Sequence, residues 1–377
     1  NYGVTVAEDD VLAYLVWIPR YRYTLWNVAG NASTYTGGCS NTSYYSQSTC
    51  VANSGTWTEP ACTANCPQSI NITFESAYTT KSTGTTNGTE LTHPGFTYNG
   101  QELNGIWVGK FETTQGTAAN VGITNPTIKP NITSWRSQNV STEFNTSLLF
   151  ASNTAYGLTG ESRMSKNSDW GAITYLSHSQ YGINNEIRLN NNSSYTTGCG
   201  ASGANLAATS TCEIAYGSGV SSYPQSTTGN ISGIFDISGG AYEYQMGVYT
   251  NATNDLYSGM CDYYQSGYKG LYGNPSGNAS CNSSITSNTT GLDYPNLKYY
   301  KTYPSSSWAS SVNNLGDALG ETNAWYKDFN YFVSAAYPWF SRGGYYGNGV
   351  GSGRFVFNYV YGAPISGVSF RSVVLSS

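Results

Sequence analysis

The residues of this sequence best suited to chemistry are aromatic, and many of them lie in glycine-rich segments. The chain contains 34 Tyr and nine Trp, and residues 343–347 read GGYYG. A tyrosine provides a large, stiff contact face and a polar tip at low entropic cost, which is why binding loops favour Tyr, Ser, Gly and Asn. Tyrosines of the early strands are expected to pack half-buried on sheet faces. We predict ligand contact at four others: Tyr345, Tyr346, Tyr359 and Tyr361.

Residues able to do acid–base or covalent chemistry are few. The only histidines are His93 and His178, and the sequence has no metalloprotease, nucleophile-elbow, phosphate-loop or dinucleotide-binding motif. His178 needs a partner carboxylate to act as a base. His93 precedes Pro94 in a predicted loop, where capping or surface hydrogen bonding is expected. The sequence therefore predicts no enzymatic activity and no required cofactor.

A structural calcium ion is chemically permitted but not specified. Loop carbonyls could complete a calcium site with four carboxylates, namely Asp9, Asp10, Asp236 and Glu243. Their spacing does not match an EF-hand loop, so the metal content stays open.

Composition limits the classes of partner. Charged residues make up only 10% of the 377-residue chain, against roughly 25% in typical soluble domains. The net charge of −5 and the lack of a Lys/Arg cluster disfavour nucleic acid and anionic membrane surfaces. No stretch approaches the roughly 18 apolar residues that span a bilayer. Because residue 1 is Asn rather than Met, we expect a mature chain whose export signal has been removed.

The eight cysteines predict an extracellular protein with disulfide bonds. They lie in short polar loops, and an even count in such loops is typical of an oxidising compartment. Zinc would need shorter paired spacings or nearby histidines. We expect the pairs Cys199–Cys212 and Cys261–Cys281. The remaining four allow three connectivities: Cys39, Cys50, Cys62 and Cys66.

About fourteen Asn-X-Ser/Thr sequons occur, against roughly nine expected by chance from this composition. Most lie in the same turn-like loops as the cysteines. We predict N-glycosylation at Asn31, Asn41, Asn71, Asn87, Asn131, Asn139, Asn145, Asn192, Asn230, Asn251, Asn278, Asn282 and Asn288.

Short strands dominate the elements expected to position these residues. Residues 11–26, 70–76, 104–113 and 330–377 combine β-branched and aromatic side chains, with an interruption at Pro19. The best helical pattern covers residues 169–180, with Asp169 as predicted N-cap and Gly182 as stop signal; a weaker one covers 131–151. Few helices and long polar loops predict an irregular α+β domain.

Four segments, in chain order, resemble the formylglycine-generating-enzyme (sulfatase-modifying-factor) family. They are residues 107–113 (WVGKFET), 169–183, 231–247 (ISGIFDISGGAYEYQMG) and 341–377, which begins SRGGYY. The resemblance implies an irregular C-type-lectin-like fold over residues 101–377, with disulfide-bearing insertions. Residues 1–100 would form N-terminal strands and a cysteine-rich loop region packed on that domain.

The resemblance is to the non-enzymatic branch of the family, found in surface, prophage and prepilin-linked proteins and in variable proteins of diversity-generating retroelements. The enzymes bind copper through a cysteine pair near the C-terminus, and this chain has no Cys after Cys281. The resemblance implies ligand contact by Tyr345, Tyr346, Asn348, Asn358, Tyr359 and Tyr361. It implies a supporting scaffold of Arg342, Gly343, Gly344, Phe355, Phe357, Phe370 and Arg371, and a loop-bracing role for Asp236 and Glu243.

These observations favour a non-catalytic binding or adhesion protein on a cell, filament or virion surface, whose partner is a glycan or a protein. The alternative is a structural subunit of a glycosylated extracellular filament or surface layer. In that case residues 1–7 could add as a strand to the sheet of a neighbouring copy. An oxygen-dependent or hydrolytic enzyme lacks its reactive residues.

Overall fold

The computed structural model describes residues 6–41, 47–115, 126–203, 206–250, 298–304, 314–334 and 337–375. Within these ranges the chain is mixed and strand-rich, as predicted, with only three α-helices: α1 (Gln47–Ala52), α2 (Val140–Ser152) and α3 (Asn167–Ser177). The strands are β1 (Leu15–Pro19), β2 (Tyr21–Thr24), β3 (Thr34–Cys39), β4 (Trp57–Ala64), β5 (Ile72–Phe74), β6 (Glu90–Thr92), β7 (Thr97–Tyr98), β8 (Gln101–Glu102), β9 (Gly105–Gly109), β10 (Thr114–Gln115), β11 (Pro126–Thr127), β12 (Glu161–Met164), β13 (Tyr242–Thr250), β14 (Lys301–Pro304), β15 (Trp339–Arg342), β16 (Phe357–Val360), β17 (Val368–Phe370) and β18 (Ser372–Leu375).

A four-stranded antiparallel sheet in the order β1-β9-β18-β12 brings early and late strands together. Ile106 and Val108 of β9 are fully buried, whereas Trp107 between them is exposed, as the alternating pattern predicts for a strand with one solvated face. Because β1 and β9 pair over five residues, this sheet contains strands from both sides of the predicted boundary near residue 100.

The second sheet has the order β14-β13-β15-β16, and β17 pairs with the start of β13. The central strand β15 is hydrogen-bonded on both edges and all four of its residues are buried. At the edge, β16 buries Phe357 and Val360 and leaves the two residues between them half-buried. This edge therefore presents side chains to solvent on a buried frame. Smaller units are a β5-β2-β6 sheet and the pairs β3-β4, β7-β8 and β10-β11.

Helix α3 is almost wholly buried, but its start differs from the prediction. The N-cap is Lys166, and Asp169 is the third helical residue, where its carboxylate accepts the Lys166 N–H at 2.8 Å. Asp169 thus supplies one half of a capping box, and the same carboxylate pairs with the buried guanidinium of Arg163. The helix ends at Ser177, before the predicted stop at Gly182.

The two sheets meet at a buried ion pair. Arg371 separates β17 from β18, and its Nε donates to Glu243 of β13 at 2.9 Å. Its other nitrogens also donate to the carbonyls of Gly109, at 2.7 Å, and Phe235, at 3.1 Å. Both charged side chains are fully buried. Four chain segments are therefore fixed by one guanidinium.

Buried carboxylates form a second feature of the interior. Glu321 accepts hydrogen bonds from Gly316 N–H (2.7 Å) and from the hydroxyls of Tyr175 (2.8 Å) and Tyr23 (3.0 Å). Burial raises the pKa of Glu321 to about 7 and that of Asp236 to about 7. These acids are neutralised by protonation more easily in the folded state than in the unfolded chain.

Replacing Arg371 with Ala leaves Glu243 buried without its counter-charge and two carbonyls without a donor. We expect a loss of about 3–5 kcal/mol in the free energy of unfolding, as for other broken buried pairs, measured by urea denaturation. The control is Arg22→Ala, which breaks more exposed pairs with Glu90 and Glu75 and should cost much less, because solvent screens the Arg22 charge. Equal losses in both variants would contradict a central role for Arg371.

Because several carboxyl groups are buried, we expect the free energy of unfolding to rise as the pH falls from 8 to 6.5. Glu321 has a raised folded-state pKa, so its contribution is fully present below its unfolded pKa and is lost as the pH rises through about 7. The two buried histidines, whose folded-state pKa is about 3, oppose this increasingly as the pH approaches 6.5, because they take up protons in the unfolded chain and not in the folded one.

Glu321→Gln should reduce the stability gain between pH 8 and 6.5 by about 1 kcal/mol, measured by urea unfolding at both pH values. Exposed Glu59→Gln should leave the gain unchanged. An undiminished gain in the Glu321 variant would show that this carboxyl does not titrate near pH 7.

Candidate ligand-binding surface

The loop between β15 and β16 is shaped by glycines and held by its own backbone. Gly343 and Gly344 have φ values of +83° and +80°, a region that side chains other than Gly rarely adopt. A Cβ at Gly344 would lie 2.5 Å from the Ser352 hydroxyl oxygen, and that hydroxyl bonds both the N–H and the carbonyl of Tyr345. The Tyr346 N–H donates to Gly240 at 3.0 Å. The loop conformation is thus held by hydrogen bonds within the chain.

A first tyrosine cluster consists of Tyr195, Tyr242, Tyr345 and Tyr346, all half-buried. The rings of Tyr345 and Tyr346 are 4.1 Å apart, and Tyr195 meets Tyr346 edge-on at 5.0 Å. Tyr242 lies parallel to Tyr345. The Arg136 guanidinium lies 3.6 Å from the centre of the Tyr195 ring, a cation–π geometry.

A second tyrosine cluster consists of Tyr331, Tyr337, Tyr359 and Tyr361. Tyr337 lies between Tyr359 (4.6 Å) and Tyr361 (4.3 Å), and its hydroxyl is 2.8 Å from that of Tyr361. Tyr331 is 50% exposed and meets Tyr359 edge-on. Four half-exposed rings therefore cover this edge of the second sheet.

Tyr242 connects the predicted contact residues of the loop with those of β16. Its hydroxyl donates to the Asn348 side chain at 2.8 Å and also interacts with the side chain of Asn358. Asn358 is followed by Tyr359 of the second cluster. The structure thus brings together all six residues predicted to contact a ligand: Tyr345, Tyr346, Asn348, Asn358, Tyr359 and Tyr361.

The residues predicted as scaffold lie beneath this surface. All seven are buried: Arg342, Gly343, Gly344, Phe355, Phe357, Phe370 and Arg371. Arg342 donates to the Ala318 carbonyl at 2.8 Å, and Phe355 packs edge-on against Trp325 at 5.0 Å. Their burial is compatible with a supporting role, which stays a prediction.

The surface offers neutral hydrogen-bonding groups beside aromatic faces. Burial raises the pKa of Tyr242 to about 12 and raises the pKa of Tyr195 and Tyr345 above their ordinary value. Their hydroxyls therefore stay protonated at physiological pH and can donate or accept. Aromatic faces, phenol hydroxyls, two amides and the Arg136 cation suit non-covalent recognition by stacking and hydrogen bonding.

Five surface residues were not predicted from the sequence: Arg136, Tyr195, Tyr242, Tyr331 and Tyr337. Tyr195 lies in the polar segment 190–198 (NNNSSYTTG), so the composition rule for binding loops could have selected it. Its φ of +56° is unusual for a bulky residue, and such strain is often found at ligand sites. Nothing in the local sequence singles out Arg136.

The two histidines are structural. His93 caps the turn that follows it, since its Nδ1 accepts the Gly95 N–H at 3.1 Å, but it is fully buried and not on the surface. His178 Nε2 lies 2.8 Å from the Tyr326 hydroxyl, among aromatic rings. Burial lowers the pKa of each to about 3, so both are neutral and packed.

The carboxylates considered for calcium have protein partners or lie apart. Asp236 accepts the Gly198 N–H and the Asn190 amide, while Glu243 pairs with Arg371. Asp9 and Asp10 are exposed in an N-terminal turn. Within the described ranges, no group of three or more His, Cys, Asp or Glu residues is arranged to hold a metal ion.

Three cysteine pairs lie at disulfide distance. Cys199 and Cys212 are paired as predicted, with their Cα atoms 5.5 Å apart. Of the three connectivities open to the first four cysteines, the structure has Cys39–Cys50 and Cys62–Cys66. The predicted partners Cys261 and Cys281 lie outside the described residues.

The predicted glycosylation sites differ in accessibility. Those with an exposed side chain are Asn31, Asn41, Asn71, Asn87, Asn131, Asn145 and Asn230. Asn139 is half-buried and caps α2. Asn192 is fully buried and its amide donates to the Thr209 carbonyl, which disfavours a glycan at this position. Outside the described residues lie Asn251, Asn278, Asn282 and Asn288.

Comparison with families of known proteins and with curated proteins found no match. The chain matches no model of a known protein family, and no curated protein is significantly similar to it. In the part of the chain that the structure describes, none of the helices has the length and apolarity needed to cross a bilayer.

Proposed function

We propose that this chain is an extracellular binding protein whose two tyrosine clusters recognise a glycan or a protein on another surface. The observation that carries the proposal is the contrast between exposed tyrosine rings and the buried side chains next to them. Eight half-exposed tyrosines stand on a buried frame of Arg and Phe side chains. Solvent-facing aromatics are costly unless they meet a partner, and tyrosine-rich surfaces are typical of recognition sites.

The proposal includes a C-type-lectin-like arrangement for this frame, as the sequence resemblance implies. It is supported by the mixed, strand-rich chain with few helices and by the pairing of early and late strands in one sheet. Three cysteine pairs at disulfide distance favour an extracellular location.

A second candidate, a subunit of an extracellular filament or surface layer, is favoured by the β3-β4 hairpin. This hairpin forms a separate two-stranded sheet with mostly exposed residues on both faces, and unpaired strand edges are templates for neighbouring chains. Light scattering of the purified protein, with negative-stain imaging, separates the candidates. We expect a monomer or small oligomer; long regular polymers would make the structural role primary.

The binding proposal predicts the effect of replacing Tyr345, Tyr346 and Tyr359 together with Ala. Binding to an array of glycans and surface proteins should fall at least about tenfold, since several stacking contacts are lost. The thermal unfolding midpoint should change little, because all three rings are only half-buried and Tyr359 alone packs against a core cluster.

The matched control replaces Tyr78 and Tyr181, exposed at 94% and 47% and outside both tyrosine clusters, and should bind like the wild type. If the triple variant binds the array as the wild type does, the proposal that these tyrosines form the binding surface is wrong. A large drop in its unfolding midpoint would instead assign the three tyrosines to the core.

A further inference from the structure

A groove at the edge of the first sheet is separate from both tyrosine clusters. Its volume is about 410 Å³, within the range of roughly 300–1,000 Å³ typical of small-molecule sites. It lies between the β7-β8 hairpin, the start of β9 and the start of β12. The residues that matter for its chemistry are Trp17, Tyr98, Asn99, Gln101, Glu102 and Glu161.

One wall of the groove is a tryptophan ring held in place. Trp17 of β1 lies opposite Trp107 of β9, with ring centres 5.2 Å apart. Its benzo edge rests on Gly105, where an added Cβ would lie only 2.4 Å from a ring carbon. The missing side chain at Gly105 therefore makes room for the indole. A half-buried ring fixed in this way is a flat platform for stacking.

The facing rim carries two amides on a tight turn. Asn99 and Gly100 have φ values of +49° and +77°, the pattern of a two-residue hairpin turn of the Asn-Gly type. This turn sets Asn99 and Gln101 at the mouth of the groove, and both are exposed. Within the described residues neither side chain makes a hydrogen bond, so both amides can donate and accept toward a ligand.

Two ion-paired carboxylates complete the lining. Glu102 accepts from Lys81 at 2.7 Å and from Arg20 at 2.6 Å. Burial acts to raise its pKa, but these hydrogen bonds outweigh burial and lower it. Glu161 pairs with Lys298 at 2.8 Å and accepts from the Tyr98 hydroxyl. The groove thus offers strong acceptors with little net charge, which suits hydroxyl donors better than free ions.

We propose that this groove binds a neutral saccharide. The apolar face of a pyranose ring would stack on Trp17, its hydroxyls would donate to Glu102 and Glu161, and the amides of Asn99 and Gln101 would bond the remaining oxygens. This site shares no residue with the tyrosine clusters and does not depend on the function proposed for them.

The test is isothermal titration of the whole protein with three neutral probes: cellotetraose, mannotetraose and chitotetraose. At least one should bind, and Trp17→Ala should weaken that binding about tenfold or more, the loss expected when a stacking platform is removed. Gln101 is the exposed first residue of β8, so Gln101→Ala should not disturb folding. This substitution should weaken probe binding severalfold. The matched control Trp57→Ala removes an indole that does not line the groove and should leave the affinity within twofold.

Two results would overturn the proposal: no binding of any probe at 10 mM, or wild-type affinity in both the Trp17 and the Gln101 variants. The triple tyrosine variant should keep wild-type affinity for the probe. If that variant loses probe binding while Trp17→Ala has no effect, the saccharide binds at the tyrosine clusters. This result would contradict the proposed groove site.

Discussion

The structure depends on one buried cation at the point where the chain passes from one sheet to the other. Arg371 follows β17, which pairs in the second sheet, and precedes β18, which pairs in the first. Its guanidinium pairs with Glu243 and donates hydrogen bonds to the carbonyls of Gly109 and Phe235. Removing such a pair from water costs several kcal/mol per ion, so it is tolerated only when hydrogen bonds satisfy nearly every donor. That requirement specifies how the two sheets meet.

The tyrosine surface follows from this junction. Fixing Glu243 fixes the start of β13, which carries Tyr242 and pairs with β15. In turn β15 positions β16, and the glycine turn after β15 folds the loop back so that Tyr345 stacks on Tyr242 and Tyr346 packs against Tyr345. The tyrosine rings are thus placed on an edge strand and its loop, while buried charged and aromatic side chains hold the backbone. The same separation of frame and surface occurs at the groove, where Gly105 positions the Trp17 ring.

Local pattern predicted much of the framework. Alternation at Ile106 and Val108 predicted β9, and the amphipathic run near residue 170 predicted α3. Contacts between distant segments were not predictable. Local sequence predicts Asp169 as an N-cap, whereas the helix begins two residues earlier and Arg163 pairs with the Asp169 carboxylate in the core. Arg136 joins the tyrosine surface only because folding brings it to Tyr195.

The central claim is that the tyrosine clusters make the contact with a partner surface. Hydroxyl-radical footprinting with mass spectrometry measures this directly, by comparing tyrosine oxidation in the free protein and in the protein attached to the cells or particles it recognises. The account predicts protection of Tyr345, Tyr346 and Tyr359 on attachment, with unchanged oxidation of Tyr78. Protection elsewhere, with those three tyrosines oxidised as in the free protein, would contradict it.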